Sequence, residues 1–270
     1  MNIAITGANG YIGRNVVRNL VESGHNVISL VHPNDEIHRF LDGSRVIKTD
    51  IFSLAAQDCI DIFSDVDCLL HLAWQAGFNH HDPSHIQNVV KHFNFIDHVT
   101  NSGVKNISVA GTMHEIGYYV GEIDANTPCN PSNPYGIAKN FLRQALITHS
   151  EKKHFNLQWL RFYYITGDDK HSNSIFGKIL RAAEDGKSTF PLNSGEMLYD
   201  FIDINELSEK IKIRIESGVS GIFNCSSGKP KSLRTAVEQF IEKHKLTIKP
   251  EYNVFPAREY DSMAIWGKDY

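Results

Sequence analysis

Thr112, His114 and Glu115, followed by Tyr135 and Lys139, are residues of one stretch any of which could carry chemistry. Tyr135 and Lys139 stand at i and i+4 directly after Pro134, a residue at home in the first turn of a helix. That spacing puts the phenol and the ammonium on one helical face. A tyrosine is a weak acid, with an ordinary pKa of about 10. A neighbouring ammonium favours its phenolate. A tyrosine tuned in this way works as general acid or base beside a hydride carrier. Met113 and His114 stand between Thr112 and Glu115.

A hydride carrier needs a seat, and "TGANGYIG" at residues 6–13 offers one. Gly7 permits a tight turn, Gly10 lets backbone approach a pyrophosphate, and Gly13 lets a helix pack on a strand. Asn9, Tyr11 and Ile12 share the loop. The phosphates would sit at the helix N-terminus, where free N–H groups and the helix dipole favour anions. Between a strand and an amphipathic helix, the triplet reads as a dinucleotide site rather than a ligand-free turn. A bound, oxidised nicotinamide would join Lys139 in favouring the Tyr135 phenolate. Dinucleotide folds place an acid at the end of the second strand, on the adenosine ribose. Here Val31 holds that position and His32 follows; Asp35 and Glu36 come only after Pro33. Val31 does not repel the extra phosphate of NADP, and His32, with Arg14 or Arg39, offers it positive charge. The reading prefers NADP(H) and admits NAD(H).

The elements that must position these groups alternate. Short apolar strands are predicted at 2–7, 25–31, 45–51, 66–73, 104–111 and 156–167, with helices between them, notably 11–24, 85–103 and 134–152. Alternating β and α with nearly continuous apolar strands implies a parallel sheet covered on both faces. The expected fold is α/β, a Rossmann doubly wound parallel sheet with a smaller mixed C-terminal substrate-binding subdomain. The division expected is 1–166, with about 200–226, for the dinucleotide-binding domain, and 167–199 with 227–270 for the subdomain. Residues 113–115 are expected to continue a strand.

A chain of 270 residues with 41% hydrophobic side chains can build such a core. A net charge of −4 argues against nucleic acid or an anionic membrane as partner. No apolar run approaches the roughly 18 residues of a membrane span, and "MNIAITGANG" is no secretory signal. Cys59, Cys68, Cys129 and Cys225 are scattered, which fits reduced cytoplasmic thiols.

Taken together, these motifs resemble the extended short-chain dehydrogenase/reductases, in the NAD-dependent epimerase/dehydratase group that modifies nucleotide sugars. The likeness runs nearly the full length. "TGANGYIG" resembles the family's TGxxGxxG, "TDI" at 49–51 its adenine-contacting motif, "HLAW" at 71–74 its HxAA, and "PYGIAK" its PYxxSK. "LRFYYITG", "YDFIDINEL" and "PAREYD" resemble its later motifs. The resemblance implies cofactor contacts by Asp50, Ile51, Leu72, Ala73, Trp74, Asn88, Tyr135, Lys139 and Tyr163, beside Gly7, Asn9, Gly10, Tyr11, Ile12, Gly13 and His32. It implies a catalytic set of Thr112, Tyr135 and Lys139, Thr112 lying five residues before Gly117. Thr112, Met113, His114, Tyr164, Asn173 and Arg258 are the implied contacts to a nucleotide-diphosphate sugar. Tyr164 and Tyr199 replace the family's Asn and Arg at the diphosphate, which shifts that load to Arg258.

Within this group, 4,6-dehydratases place Asp-Glu directly after the catalytic Thr. Here those positions are Met113 and His114. Met113 cannot transfer a proton, and a strand would turn Glu115 to the opposite face. The expected activity is NAD(P)H-dependent reduction of a nucleotide-linked 4-keto-6-deoxyhexose, as in the sugar pathways of bacterial surface polysaccharides. A 4-epimerase, a dehydratase and a non-catalytic NADP sensor are the alternatives. "HHDPSH" at 80–85 is a metal, substrate or solvent-facing loop, and the proposed chemistry needs no metal. His171 is a further sugar-contact candidate. A homodimer is expected by analogy.

Overall fold

The computed structural model describes residues 1–167, 170, 172–258 and 260–268; His171 lies outside them. The first half runs β1 (Asn2–Thr6), α1 (Tyr11–Glu22), β2 (Asn26–Val31), β3 (Arg45–Lys48), α2 (Ala56–Phe63), β4 (Cys68–His71), α3 (Ser84–Asn101), β5 (Asn106–Thr112) and β6 (Gly121–Ile123). The chain continues through α4 (Pro134–Lys153), β7 (Asn156–Phe162), β8 (Tyr164–Thr166), α5 (Ile175–Glu184), β9 (Thr189–Pro191), β10 (Leu198–Asp203) and α6 (Ile204–Ser217). It closes with β11 (Gly221–Cys225), β12 (Pro230–Ser232), α7 (Leu233–Lys243), β13 (Lys249–Glu251) and β14 (Ala264–Gly267).

Seven parallel strands form the large sheet, in the order β3-β2-β1-β4-β5-β7-β11. The doubly wound Rossmann-like architecture expected from the alternation is present. Strand periodicity explains the two-sided burial. Ile3 and Ile5 of β1 join α1 and α6 in one apolar cluster, while Ala4 joins α2, α3 and α4 in another. The order reverses between β1 and β4, so a crevice opens beyond their carboxyl ends, the usual ligand position in such sheets.

The smaller mixed sheet has the order β12-β10-β14-β6, with β8 also on β10. It packs with α5 and α7 around Phe176, Ile179, Phe201, Val237 and Phe240. Its strands β6 and β8 come from within residues 1–166 and β10 spans 198–203, so sheet membership does not follow sequence boundaries. The predicted strand at 156–167 is two strands. β7 stays in the large sheet, and the chain then crosses at Tyr163 to join the small one. Buried Tyr163 anchors the crossing, its hydroxyl donating to Asn224 Oδ1 at 2.9 Å.

Residues 113–115 are not strand. β5 ends at Thr112, and Met113–Glu115 form a turn of 3-10 helix. Helix α4 starts as predicted, with Pro134 in its first turn and Asn133 Oδ1 accepting from the Gly136 N–H at 2.9 Å. No helix among the described residues is long and apolar enough to cross a membrane.

Candidate active site

The glycine loop links β1 to α1 at the reversal point. Gly7 has φ +67°, and a Cβ there would lie 2.8 Å from Ala73 N, so the loop lies flat against the chain leaving β4. A Cβ on Gly13 would lie 2.1 Å from the Gly7 oxygen, so glycine alone lets α1 begin so close to the loop. Helix α1 has no side-chain cap and no acid in its first turn. Its leading N–H groups are therefore available to an anion. A pyrophosphate with its attached nucleosides fits this cradle.

Asn9 ties the loop to the segment after β2. Its Nδ2 donates to the Glu36 carbonyl at 2.7 Å, and its Oδ1 accepts from His38 N at 2.8 Å. Asp35 and Glu36 thus lie on a segment held against the glycine loop, and His32 is exposed. Asp35 and Glu36 lie late in sequence, and the Asn9 bond brings the Glu36 backbone against the glycine loop. Asp50 closes a local turn, accepting from Phe52 N at 3.0 Å, with Ile51 half-buried beside it. Leu72 N donates to the Thr6 carbonyl and Ala73 N to the Thr6 hydroxyl. Asn88 donates to Gln75 Oε1 at 3.2 Å. The Tyr11 hydroxyl stands where a Gly167 side chain would be. Tyr163 has its phenol committed to Asn224.

Thr112, at the end of β5, hydrogen-bonds the Tyr135 side chain. Burial pushes the Tyr135 phenol up to about 12, the Thr112 bond opposes that rise, and the Glu115 charge adds to it. One turn on, Lys139 is buried, its Nζ donating to the Ala110 carbonyl at 2.7 Å. Burial pulls its ammonium down to about 7, against the attraction of Glu115. Thr112, Tyr135 and Lys139 therefore converge at the carboxyl end of β5.

Histidines surround the phenol. His80 stacks on Tyr135 with ring centroids 5.1 Å apart, and His114 lies 4.2 Å from His80. Burial holds His80 at about 4 and His114 at about 3, so both are neutral at physiological pH. His85 is buried, accepting from Trp74 Nε1 at 3.0 Å and bonding the Asn79 carbonyl through Nε2. His81 packs edge-on to Tyr260. The "HHDPSH" run therefore splits among a phenol, an indole and a tyrosine. Among the described residues no group of three or more His, Cys, Asp or Glu is arranged to hold a metal ion.

Next to this centre a cleft is lined by Met113, His114, Tyr164, Tyr199, Tyr260 and Asp261. Arg258 is exposed, yet its charge acts on His80, His114 and Tyr164, which places it at the same cleft. Asn173 is exposed before α5, between Ser172 and the helix cap Ser174. A larger hollow bordered by Asn2, Asn26, Arg45 and Asp65 opens at the other ends of the strands, away from this chemistry.

Glu115 is fully buried and turned from the cleft. It accepts from Arg161 Nε at 2.6 Å and from Trp159 Nε1 at 2.9 Å, with Arg143 Nε at 3.6 Å. Its seclusion comes from the 3-10 turn and not from strand alternation. Sequence reasoning missed the buried histidines His71 and His92 and their link to Trp74. The signal was a Trp at the fourth position of "HLAW", where HxAA has a small residue.

Four similarities bear on this geometry. Residues 3–226 match the NAD dependent epimerase/dehydratase family. The chain is 63% identical over 268 residues, 99% of each chain, to a dTDP-6-deoxy-L-talose 4-dehydrogenase (NAD(+)) from Aggregatibacter actinomycetemcomitans. In fold it is similar to a UDP-N-acetylglucosamine 4-epimerase from Methanobrevibacter ruminantium M1, with TM-score 0.86, 20% identity, and coverage of 99% of this chain and 89% of that one. It is likewise similar to MoeE5 in complex with UDP-glucuronic acid and NAD, with TM-score 0.84, 21% identity, and coverage of 100% and 90%. NAD stands in the relative's name and in the MoeE5 complex, so a preference for NADP gains no support from them.

Proposed function

The chain belongs to the NAD-dependent epimerase/dehydratase family and is a nucleotide-sugar-modifying oxidoreductase of the extended short-chain dehydrogenase/reductase type; from that premise we propose that it interconverts a dTDP-6-deoxyhexose and its 4-keto form, using NAD(H). Reduction of the keto sugar and oxidation of the hydroxy sugar are one reaction in two directions. The expected 4-keto reduction and the relative's named 4-dehydrogenation therefore require the same site.

The observation that carries the reading is the convergence of Thr112, Tyr135 and Lys139 beside a cleft whose next two residues are Met113 and His114. Bound NAD(H) supplies the hydride chemistry. Tyr135 exchanges a proton with the oxygen on C4, and Thr112 holds that oxygen by a hydrogen bond. Lys139 holds the nicotinamide ribose, and its charge favours the phenolate when Tyr135 acts as base. Met113 carries no proton, and His114 stays neutral with its pKa near 3, so no acid–base pair flanks the sugar to eliminate water. Arg258 gives the cleft positive charge for the diphosphate. The Asp35–Glu36 segment, held to the glycine loop by Asn9, suits ribose hydroxyls better than a 2′-phosphate. NAD(H) is accordingly preferred.

Steady-state rates with a dTDP-4-keto-6-deoxyhexose test the reading. The expected kcat/KM is at least about tenfold higher with NADH than with NADPH, a difference of about 1.4 kcal/mol in transition-state stabilisation. Equal or better use of NADPH would overturn the cofactor assignment. We also propose a homodimer through α3 and α4. Ile86, Val90, Ile137 and Phe141 stay 44–53% exposed on these packed helices. A solution mass of one chain at micromolar concentration would refute it.

A further inference from the structure

Trp74 leaves β4 and turns its indole beneath the Lys139 ammonium, with Nζ 3.8 Å from the ring centroid. The indole is fixed from several sides. It stacks on His92 at 4.4 Å with planes 13° apart, donates through Nε1 to His85 at 3.0 Å, and meets Tyr135 edge-on at 6.3 Å. His92 is fixed in turn. Its Nδ1 lies 2.9 Å from His71 Nε2, and His71 Nδ1 lies 2.8 Å from the Thr6 hydroxyl. Ala73 N donates to that hydroxyl, which leaves its proton for His71. A consistent line of donors then runs Thr6 to neutral His71 to neutral His92. Both histidines are buried, which keeps them uncharged beneath the indole.

We propose that Trp74 is a positioning residue for Lys139: the clamped indole holds the ammonium in place and keeps it charged where water is excluded. An aromatic face stabilises a cation most when both are desolvated, and Trp does so best. The groups acting on Lys139 are few. Glu115 on the 3-10 turn favours its charge, His71 on β4 and His92 on α3 face it uncharged, and Tyr135 lies one turn away on α4. Burial alone draws the ammonium toward neutrality. The indole opposes that loss, so the Lys139 N–H groups not bonded to Ala110 remain donors to a ribose hydroxyl. This inference rests on the reading that the chain binds NAD(H).

The test is NADH binding against pH, followed by NADH fluorescence without any sugar, in wild type, Trp74→Phe and Trp74→Leu. Weakening the aromatic face lowers the Lys139 pKa, so affinity is lost at lower pH. The Leu variant should move the alkaline fall in affinity down by about one pH unit and the Phe variant by about half as much. With each protein's affinity scaled to its own value at pH 6, the Leu variant above the fall should bind about tenfold more weakly than wild type. Should the Leu variant not fold, the half-sized shift in the Phe variant decides. Superimposable profiles, or equal loss at every pH, would overturn the proposal alone. A wild type that binds no NADH at any pH would overturn the cofactor reading and this proposal with it.

Discussion

Replacing Glu115 with Gln separates its two roles, acid or buried counterion. Glu115 and Arg161 both have fully buried side chains, and their ion pair closes at 2.6 Å. Glutamine is nearly isosteric and can still accept from Trp159 Nε1. Its neutral amide leaves the Arg161 guanidinium uncompensated inside the protein. Breaking one side of a buried pair costs about 3–5 kcal/mol. At roughly 2–4 °C per kcal/mol for a chain of this size, the melting temperature should fall by roughly 6–20 °C. Urea unfolding should show a lower midpoint with an unchanged slope. Below the melting range, turnover should stay within about tenfold of wild type, because Glu115 touches the chemistry only through its field on Lys139 and Tyr135. A loss of more than about a thousandfold in kcat without a change in melting temperature would refute this reasoning and make Glu115 part of the proton transfer.

Other outcomes follow from the same geometry. Tyr135→Phe should lower kcat by about 10²–10⁴ while NADH affinity, read by fluorescence titration, changes less than about threefold. Gly13→Ala should abolish NADH binding, since its Cβ would sit 2.1 Å from a backbone oxygen of the cradle, and an unchanged titration curve would contradict it. Acid should destabilise the fold through the buried histidines. The folded-state pKa of His71 is about 3 against an unfolded value near 6.5, so its contribution is complete above about 6.5 and is lost as pH falls toward 3. Between pH 6.5 and 5 that histidine alone should cost about 2 kcal/mol, and His71→Asn should flatten the pH dependence of urea unfolding.

Local chemistry made much of the fold legible in the sequence. Each strand of the large sheet stands as a short apolar run, and the glycine loop and Pro134 mark helix starts by backbone rules that act within a few residues. The smaller sheet was not legible strand by strand. Its β6, β8 and β12 have three residues each, too short for a period, and their partners are distant in sequence. Tyr163 shows the same limit, since nothing local says that the chain changes sheets there. In the site, the spacing of Tyr135 and Lys139 announced a shared face, and Thr112 was set by its distance from Gly117. The His71–His92–Trp74 stack was invisible because it joins β4, α3 and the loop between them. Glu115 faces away from the cleft, as expected, through a turn that alternation could not foresee.

The central claim is oxidation and reduction at C4 of a dTDP-6-deoxyhexose with NAD(H). Its most direct test mixes the purified chain with NAD and dTDP-6-deoxy-L-talose, following NADH by absorbance and the sugar by mass. NADH should appear in step with a dTDP-4-keto-6-deoxyhexose two hydrogens lighter. Failure of NADH to form in protein that binds NADH, or conversion of the sugar to a C4 epimer of unchanged mass with no net NADH, would contradict this chemistry.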